Sequence, residues 1–327
     1  MKVLVATYSE VAAWCIPEAQ VERLRREFPA HTFVRADSDP QTIERIADAE
    51  VTLGARLTRA HLAAARRLRW VHSPAAGVGN MLFLEMVASP VAITNSRGNS
   101  SGTIAEHVIA VTLALLRRLP LAWRRQAERA WAQDEFETGA PIRTLRGARV
   151  LIVGLGSIGG EAATLAAAFG ARVVGIRRRA DGPRPGGVTS VVTPDRLHDE
   201  LPLADVVVLA APQTPATVHL LGARELALMK DDAVLVNVGR GTLVDPAALV
   251  RALQTGRLRG AALDVFEREP LPPESPLWAR SDVLITPHVS GFNADHWDGV
   301  VGIFADNLRR FAAGEPLVNA VDKEAGY

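Results

Sequence analysis

The sequence predicts an α/β fold with two parallel-sheet domains, and three observations lead there. Short apolar runs alternate with amphipathic stretches along almost the whole chain. Many of these runs end in glycine-containing or polar loops, as strands do at the ligand-binding edge of an open sheet. The length of 327 residues suits two domains at roughly 150 residues each.

Lys2–Ala6 reads as the first buried strand, and a helix follows from Pro17, whose fixed φ suits a first helical turn. Val51–Leu53, Arg69–His72 and Val91–Thr94 are the further strands expected in this small first domain. From Gly102 to Leu119 the apolar residues are too dense and too long for a strand, and Ile104, Val108, Val111, Leu115 and Leu119 predict one long buried helix. A polar stretch bearing Trp123 and Trp131 comes next. Val150–Val153 then opens a second series that recurs at Arg172–Ile176, Val206–Leu209, Val234–Val236 and Ala261–Leu263 and ends at Val283–Thr286. The helical pattern from Asp295 to Phe311 has no further strand to feed, so it is expected to return to the first domain. The predicted division is therefore 1–98 with 291–327 for one domain and 99–290 for the other. No solenoid repeat or low-complexity tract is found, and the Gly/Pro-rich residues 181–187 read as a loop within the second domain.

Composition narrows the function. Apolar residues make up 48% and charged residues 22% of the chain, as in globular proteins. Thirty-seven Lys and Arg nearly cancel 36 Asp and Glu, so the global field on which a non-specific nucleic-acid binder relies is missing. Cys15 is the only cysteine, which excludes an internal disulfide and a cysteine-rich zinc site and predicts a reducing compartment. The opening apolar run stops at Thr7, before a signal-peptide core is complete. The nearest candidate membrane span, Ile104–Leu116, carries Glu106 and His107 and falls short of about 18 apolar residues. A cytoplasmic protein that binds neither membrane nor nucleic acid is expected.

The chemistry lies at the predicted strand ends. Gly154-Leu155-Gly156-Ser157-Ile158-Gly159 stands between the strand Val150–Val153 and the Ala-rich helical stretch 161–169. The first glycine permits a tight turn, the second admits a pyrophosphate, the third lets helix pack on strand, and the helix N-terminus offers free N–H groups. This predicts a dinucleotide in a doubly wound Rossmann domain. At the end of the next strand, where an acid would accept from the ribose hydroxyls of NAD, the chain reads Arg177-Arg178-Arg179. A guanidinium there can clamp a 2′-phosphate, so NADP is the better fit, with NAD possible, and Arg177 and Arg178 are the chosen residues.

Three further segments follow later strands. Asn237-Val238-Gly239-Arg240-Gly241 supplies an arginine whose planar fork can hold the carboxylate and carbonyl oxygens of an α-keto acid together. Asp264-Val265-Phe266-Glu267-Arg268-Glu269-Pro270 supplies carboxylates, and Thr286-Pro287-His288-Val289-Ser290-Gly291 a histidine. An imidazole is the natural acid for a developing alkoxide, and Glu269 on its other nitrogen would fix the tautomer.

With these four motifs in order, the chain resembles the D-isomer-specific 2-hydroxyacid dehydrogenase family from roughly Trp70 to Asn319, in its glyoxylate/hydroxypyruvate reductase-like branch. The resemblance implies a smaller, discontinuous, flavodoxin-like α/β substrate domain beside the Rossmann domain. It assigns Arg240 to the substrate, Glu269 to orienting and His288 to acid/base transfer. It places backbone amides of Val78 and Gly79, in Ala75-Ala76-Gly77-Val78-Gly79, on the substrate carboxylate. Around the cofactor it implies Thr103 and Asp264 at the nicotinamide, Gly154, Gly156, Ser157, Ile158 and Gly159 at the pyrophosphate, and Pro212 and Thr217 on the adenosine side. Val238, Gly239, Arg240, His288 and Gly291 complete the set. A carboxylate at 264 would also accept from the carboxamide and offset charge on oxidised nicotinamide. Leu121–Ile142 is similar to the family's dimer arm, so a homodimer is expected, and Trp70, Leu82 and Trp297 are expected to shape the choice of keto acid.

The implied reaction is hydride transfer between NADP(H) and a small 2-keto acid or D-2-hydroxy acid, of glyoxylate or hydroxypyruvate type, in a direction the sequence leaves open. Two rivals remain open: a non-catalytic, corepressor-like dinucleotide sensor, and a phosphonate dehydrogenase of the same superfamily. The Glu–His pairing speaks against a formate dehydrogenase.

Overall fold

The apolar runs become two all-parallel sheets in the computed structural model, which describes residues 1–326. Met1–Ser100 and the chain from Phe292 onward form one compact unit, and Ser101–Gly291 forms the other. The first unit holds β1 (Lys2–Ala6), β2 (Thr32–Arg35), β3 (Val51–Gly54), β4 (Trp70–Ser73) and β5 (Ala92–Asn95), in the order β2-β1-β3-β4-β5. This is the flavodoxin-like order. Successive residues of β1 enter opposite cores: Val3 and Val5 pack with Trp70 and Phe304, while Leu4 and Ala6 pack with Val71 and Ile93. That two-sided burial explains why the strands read as continuous apolar runs.

The helix His296–Ala313 belongs to this first unit because it carries an apolar face that the sheet needs. Val300, Val301, Phe304 and Leu308 are fully buried, each worth roughly 1.5–3 kcal/mol of transfer free energy. Phe304 stacks on Trp70 at 5.2 Å, and Trp70 donates from Nε1 to Thr94 Oγ1 at 2.8 Å. Trp70 is thus a core residue of β4. Trp297 is likewise buried and donates to the Ala13 carbonyl at 3.0 Å, and Leu82 packs on the first unit's core. Of the three residues expected to shape the choice of keto acid, Trp70 and Trp297 are thus core residues of this unit, whereas Leu82 is only partly buried.

The second unit holds β6 (Arg149–Val153), β7 (Arg172–Ile176), β8 (Val188–Val192), β9 (Val206–Leu209), β10 (Val234–Asn237), β11 (Gly260–Leu263) and β12 (Val283–Ile285). Their order, β12-β11-β10-β9-β6-β7-β8, reverses direction beside β6, as in a doubly wound Rossmann sheet. The two strands that the sequence pattern misses, β2 and β8, are both sheet edges. Their burial is incomplete, so the apolar run that marks a central strand is diluted. The single long helix expected over 102–119 is two: Ser101–Leu116 and Leu119–Ala127, separated by Arg118 at φ 57°. Pro120 is the reason, since it lacks the N–H needed to continue the first helix yet fits the first turn of a new one. Among the described residues, no helix is long and apolar enough to cross a membrane, and no group of three His, Cys, Asp or Glu is placed to hold a metal ion.

His72, on β4, is fully buried between the hydroxyls of Thr94 (2.7 Å from Nδ1) and Ser96 (3.0 Å from Nε2). Burial pushes its imidazole down to about 3 from 6.5. The unfolded chain therefore takes up a proton at this site below about pH 6.5 that the folded chain refuses, so acidification favours unfolding. His72→Gln should flatten this dependence, reducing the stability lost between pH 7 and pH 5 by up to about 2 kcal/mol. Thermal or denaturant melts at the two pH values measure it, and identical pH slopes for both proteins would contradict it.

Candidate active site

After β6 the chain turns through Gly154, at φ 99°. A Cβ there would stand 2.4 Å from the Ala211 amide nitrogen, so only glycine makes this turn. Gly159 lies in the helix Ser157–Ala168, where a Cβ would meet the Gly154 carbonyl at 2.2 Å. At Gly156 an added Cβ would meet nothing within 4 Å, so the space before the first helical turn is open. Gly156 is also the N-cap and offers no side chain, leaving the first amides, those of Ser157 and Ile158 included, for an external anion. The donor set and the open approach fit a dinucleotide pyrophosphate.

No carboxylate stands directly after β7, the first being Asp181 farther along the loop. Arg178 and Arg179 are exposed, whereas Arg177 is half-buried and donates from Nη1 to the Pro183 carbonyl at 2.9 Å and from Nη2 to the Gly182 carbonyl. On the loop after β9, Pro212 is exposed. The Thr217 hydroxyl donates to the Pro212 carbonyl at 2.8 Å and accepts from the Thr214 amide at 2.7 Å. Thr217 therefore braces its own loop.

The three polar residues expected to act together lie on loops of the second unit. After β10, Asn237 accepts from the Gly239 amide at 3.1 Å and donates to the Arg240 carbonyl at 3.0 Å, which shapes the turn. Val238 is buried in the core, and Gly239 lets this turn approach the Ala211 carbonyl, 2.8 Å from where a Cβ would be. Arg240 Nη1 donates to the Gly239 carbonyl at 2.7 Å. Burial lowers the Arg240 guanidinium from its usual value, and the charge of Glu269 opposes that. The next residue, Gly241, packs so closely on the Phe266–Glu267 backbone that a Cβ would fall 1.8 Å from the Phe266 carbonyl carbon. The loop carrying Glu269 is thereby pressed against the loop carrying Arg240.

Glu269 Oε1 accepts from the Phe266 amide at 2.9 Å, and Oε2 lies 2.7 Å from His288 Nδ1. Partial burial would raise the Glu269 carboxyl, but the bonds from His288 and Phe266, with the charges of His288 and Arg240, outweigh it and hold the group below the ordinary carboxylate value. His288 itself sits at φ 55°, in the left-handed region.

Asp264 holds that turn. Its carboxylate accepts from Thr286 Oγ1 at 2.6 Å and from the amides of Val289 and Ser290 at 3.0 and 3.1 Å. Its carbonyl accepts from the His288 amide at 2.9 Å. Asp264, the residue expected at the nicotinamide, is buried beneath the turn, and both of its carboxylate oxygens accept bonds there. Sequence reasoning missed two members of this assembly, Thr286 and His107, whose Nε2 lies 3.4 Å from Thr286 Oγ1. Burial lowers the His107 imidazole, with Asp264 opposing. The usable signal was Thr286, two residues before the histidine. His107 carried none, since its partners lie far along the chain.

Of the remaining expected residues, Thr103 lies in the helix Ser101–Leu116 and Gly291 ends the second unit. Val78 and Gly79 belong to the first unit, where the Val78 side chain is buried and Gly79 opens the short 3-10 turn Gly79–Met81.

Residues 109–290 match the family model described as D-isomer specific 2-hydroxyacid dehydrogenase, NAD binding domain. The chain is 32% identical over 317 residues to a glyoxylate reductase of Korarchaeum cryptofilum, with 94% of each chain covered. It is 31% identical over 288 residues to a D-3-phosphoglycerate dehydrogenase of Methanocaldococcus jannaschii, covering 86% of this chain and 53% of that one, so it spans about half that relative's length. Among solved structures it is similar to an NADPH-dependent glyoxylate/hydroxypyruvate reductase from Sinorhizobium meliloti in complex with NADP and sulfate. There the TM-score is 0.85 and the identity 27%, over 100% of this chain and 99% of the other. The glycine turn, the Glu–His pair, the sheet order and these similarities agree: the chain belongs to the D-isomer specific 2-hydroxyacid dehydrogenase family of oxidoreductases.

Proposed function

We propose that this protein reduces a small 2-keto acid of glyoxylate or hydroxypyruvate type to the D-2-hydroxy acid and prefers NADPH. The carrying observation is the 2.7 Å contact between His288 Nδ1 and Glu269 Oε2, within electrostatic reach of Arg240. With Nδ1 bonded to the carboxylate, Nε2 is the nitrogen left to serve a substrate oxygen. The bound nicotinamide supplies the hydride. Arg240 holds the substrate carboxylate and polarises the carbonyl oxygen through its planar fork. His288 gives that oxygen its proton, and Glu269 keeps the ring oriented. Val78 and Gly79 are proposed as amide donors to the same carboxylate, and Thr103, the glycine turn 154–159, Pro212, Thr217, 238–240 and Gly291 as the lining of the cofactor site.

The NADPH preference is supported by the arginines after β7, by the missing acid there and by the NADP held by the Sinorhizobium neighbour. A homodimer is supported by the segment Leu121–Ile142, where Trp123 and Trp131 are 53% and 92% exposed, since aromatic surface of this kind is enriched in interfaces.

Absorbance at 340 nm with glyoxylate and hydroxypyruvate should fall faster with NADPH than with NADH. Binding of cofactor without turnover on any keto acid would instead favour a sensor. His288→Ala should reduce kcat at least a hundredfold with little change in NADPH affinity, and a parallel loss of both would make the histidine structural. Glu269→Gln should lower kcat more than it raises KM, because it touches the acid and not the substrate. Light scattering at micromolar concentration should give twice the 35.1 kDa chain mass, and a monomer would remove the dimer.

A further inference from the structure

Arg177 and Arg178 are neighbours, but the structure gives their guanidinium groups different surroundings. An arginine offers a phosphate two bidentate edges, one between Nη1 and Nη2 and one that includes Nε. At Arg177 the first edge already donates to the carbonyls of Pro183 and Gly182. The second includes Nε, which is buried without a partner. Neither edge is open to an incoming anion, and the next residue, Arg178, is exposed where the bight that Arg177 closes begins.

The far side of this bight is fastened to the helix Ser157–Ala168. Thr164 Oγ1 donates to the Gly186 carbonyl at 3.2 Å, and Pro185 packs over Gly160. Gly187, at φ 77°, lies so close to the helix that a Cβ would stand 2.3 Å from Ala167 Cβ. Arg184 Nη1 adds a bond to the Thr189 carbonyl at 3.0 Å. Residues 178–187 therefore form a loop pinned to the end of β7 by Arg177 and to the phosphate-binding helix by Thr164 and Gly187.

We infer that Arg177 is a positioning residue for cofactor selection: it clamps the 178–187 loop and so fixes Arg178 where a 2′-phosphate would be read, without itself binding the phosphate. The inference rests on the NADPH preference proposed above and gives that preference a mechanism. Rigidity is the contribution, because a guanidinium held in place loses less freedom when it engages its anion.

Dissociation constants of the full-length protein for NADPH and NADH, measured by nicotinamide fluorescence, test it without requiring a known substrate. Arg178→Ala should weaken NADPH roughly 10- to 150-fold, the loss of a charge-assisted contact, and leave NADH unchanged. Arg177→Met should also weaken NADPH alone. Introduced into the Arg178→Ala background, it should add less than about twofold, because the residue it positions is already gone. Additive losses would make Arg177 a direct ligand and overturn the inference. Gly187→Ala, which dislodges the loop from the helix side with Arg177 intact, should reproduce the NADPH-specific loss, and an unaltered preference would count against it. Trypsin should cut cofactor-free Arg177→Met after Arg178 or Arg179 at least tenfold faster than wild type, with melting unchanged; equal cleavage rates would show that no clamp exists. A wild-type protein that binds both nicotinamides equally would remove the cofactor reading and this inference with it. A wild-type preference that survives Arg177→Met would sink the inference alone.

Discussion

The site depends first on one buried carboxylate. Asp264 draws Thr286, Val289 and Ser290 onto its two oxygens and takes the His288 amide on its carbonyl. A left-handed conformation costs a non-glycine residue roughly 1–2 kcal/mol. Hydrogen bonds to a charged group return roughly 1.5–3 kcal/mol each. Three of them outweigh the backbone cost of His288, so the imidazole is delivered to Glu269 by a turn with little freedom to choose otherwise. An apolar side chain at 264 would leave the Val289 and Ser290 amides and the Thr286 hydroxyl without this acceptor. The orientation of the ring would be lost before any direct contact was broken.

A second constraint is the close backbone approach among loops that leave neighbouring strands. Gly154 and Gly239 both crowd against Ala210–Ala211, and Gly241 crowds against Phe266 and Glu267. The turn that opens the nucleotide site, the turn that carries Arg240 and the segment that carries Glu269 thus touch through main chain, with glycine at each contact. The parallel sheet sets the strand ends side by side, and the missing Cβ atoms let the loops close the remaining distance.

Much of this was legible in the sequence, for a physical reason. Central strands buried on both faces, such as β6, β9 and β10, leave continuous apolar runs. Residues at strand ends lie in loops whose glycine spacing is itself a constraint. Arg240, Glu269 and His288 could therefore be named from motif and order alone. Two of the four edge strands could not, because β2 and β8 bury too little to show a clear period. Nor could the task of Asp264, since its partners 22 to 26 residues away are chosen by how the last strand packs. Aromatic size misled at Trp70, where a large ring near a presumed site is a fully buried part of the β4 core. Composition identified the basic corner after β7. It could not reveal that one arginine there is turned back onto its own loop.

The contact at Gly241 has an evolutionary side. Because the main chain at 241 abuts 266–267 with no room for even a methyl group, any side chain at 241 would force the guanidinium-bearing and carboxylate-bearing segments apart. Their spacing is tied to glycine at 241. Diversification toward bulkier or longer acids must therefore work by exchanging what projects from these two segments, or from segments elsewhere, while the interlocked frame stays as it is.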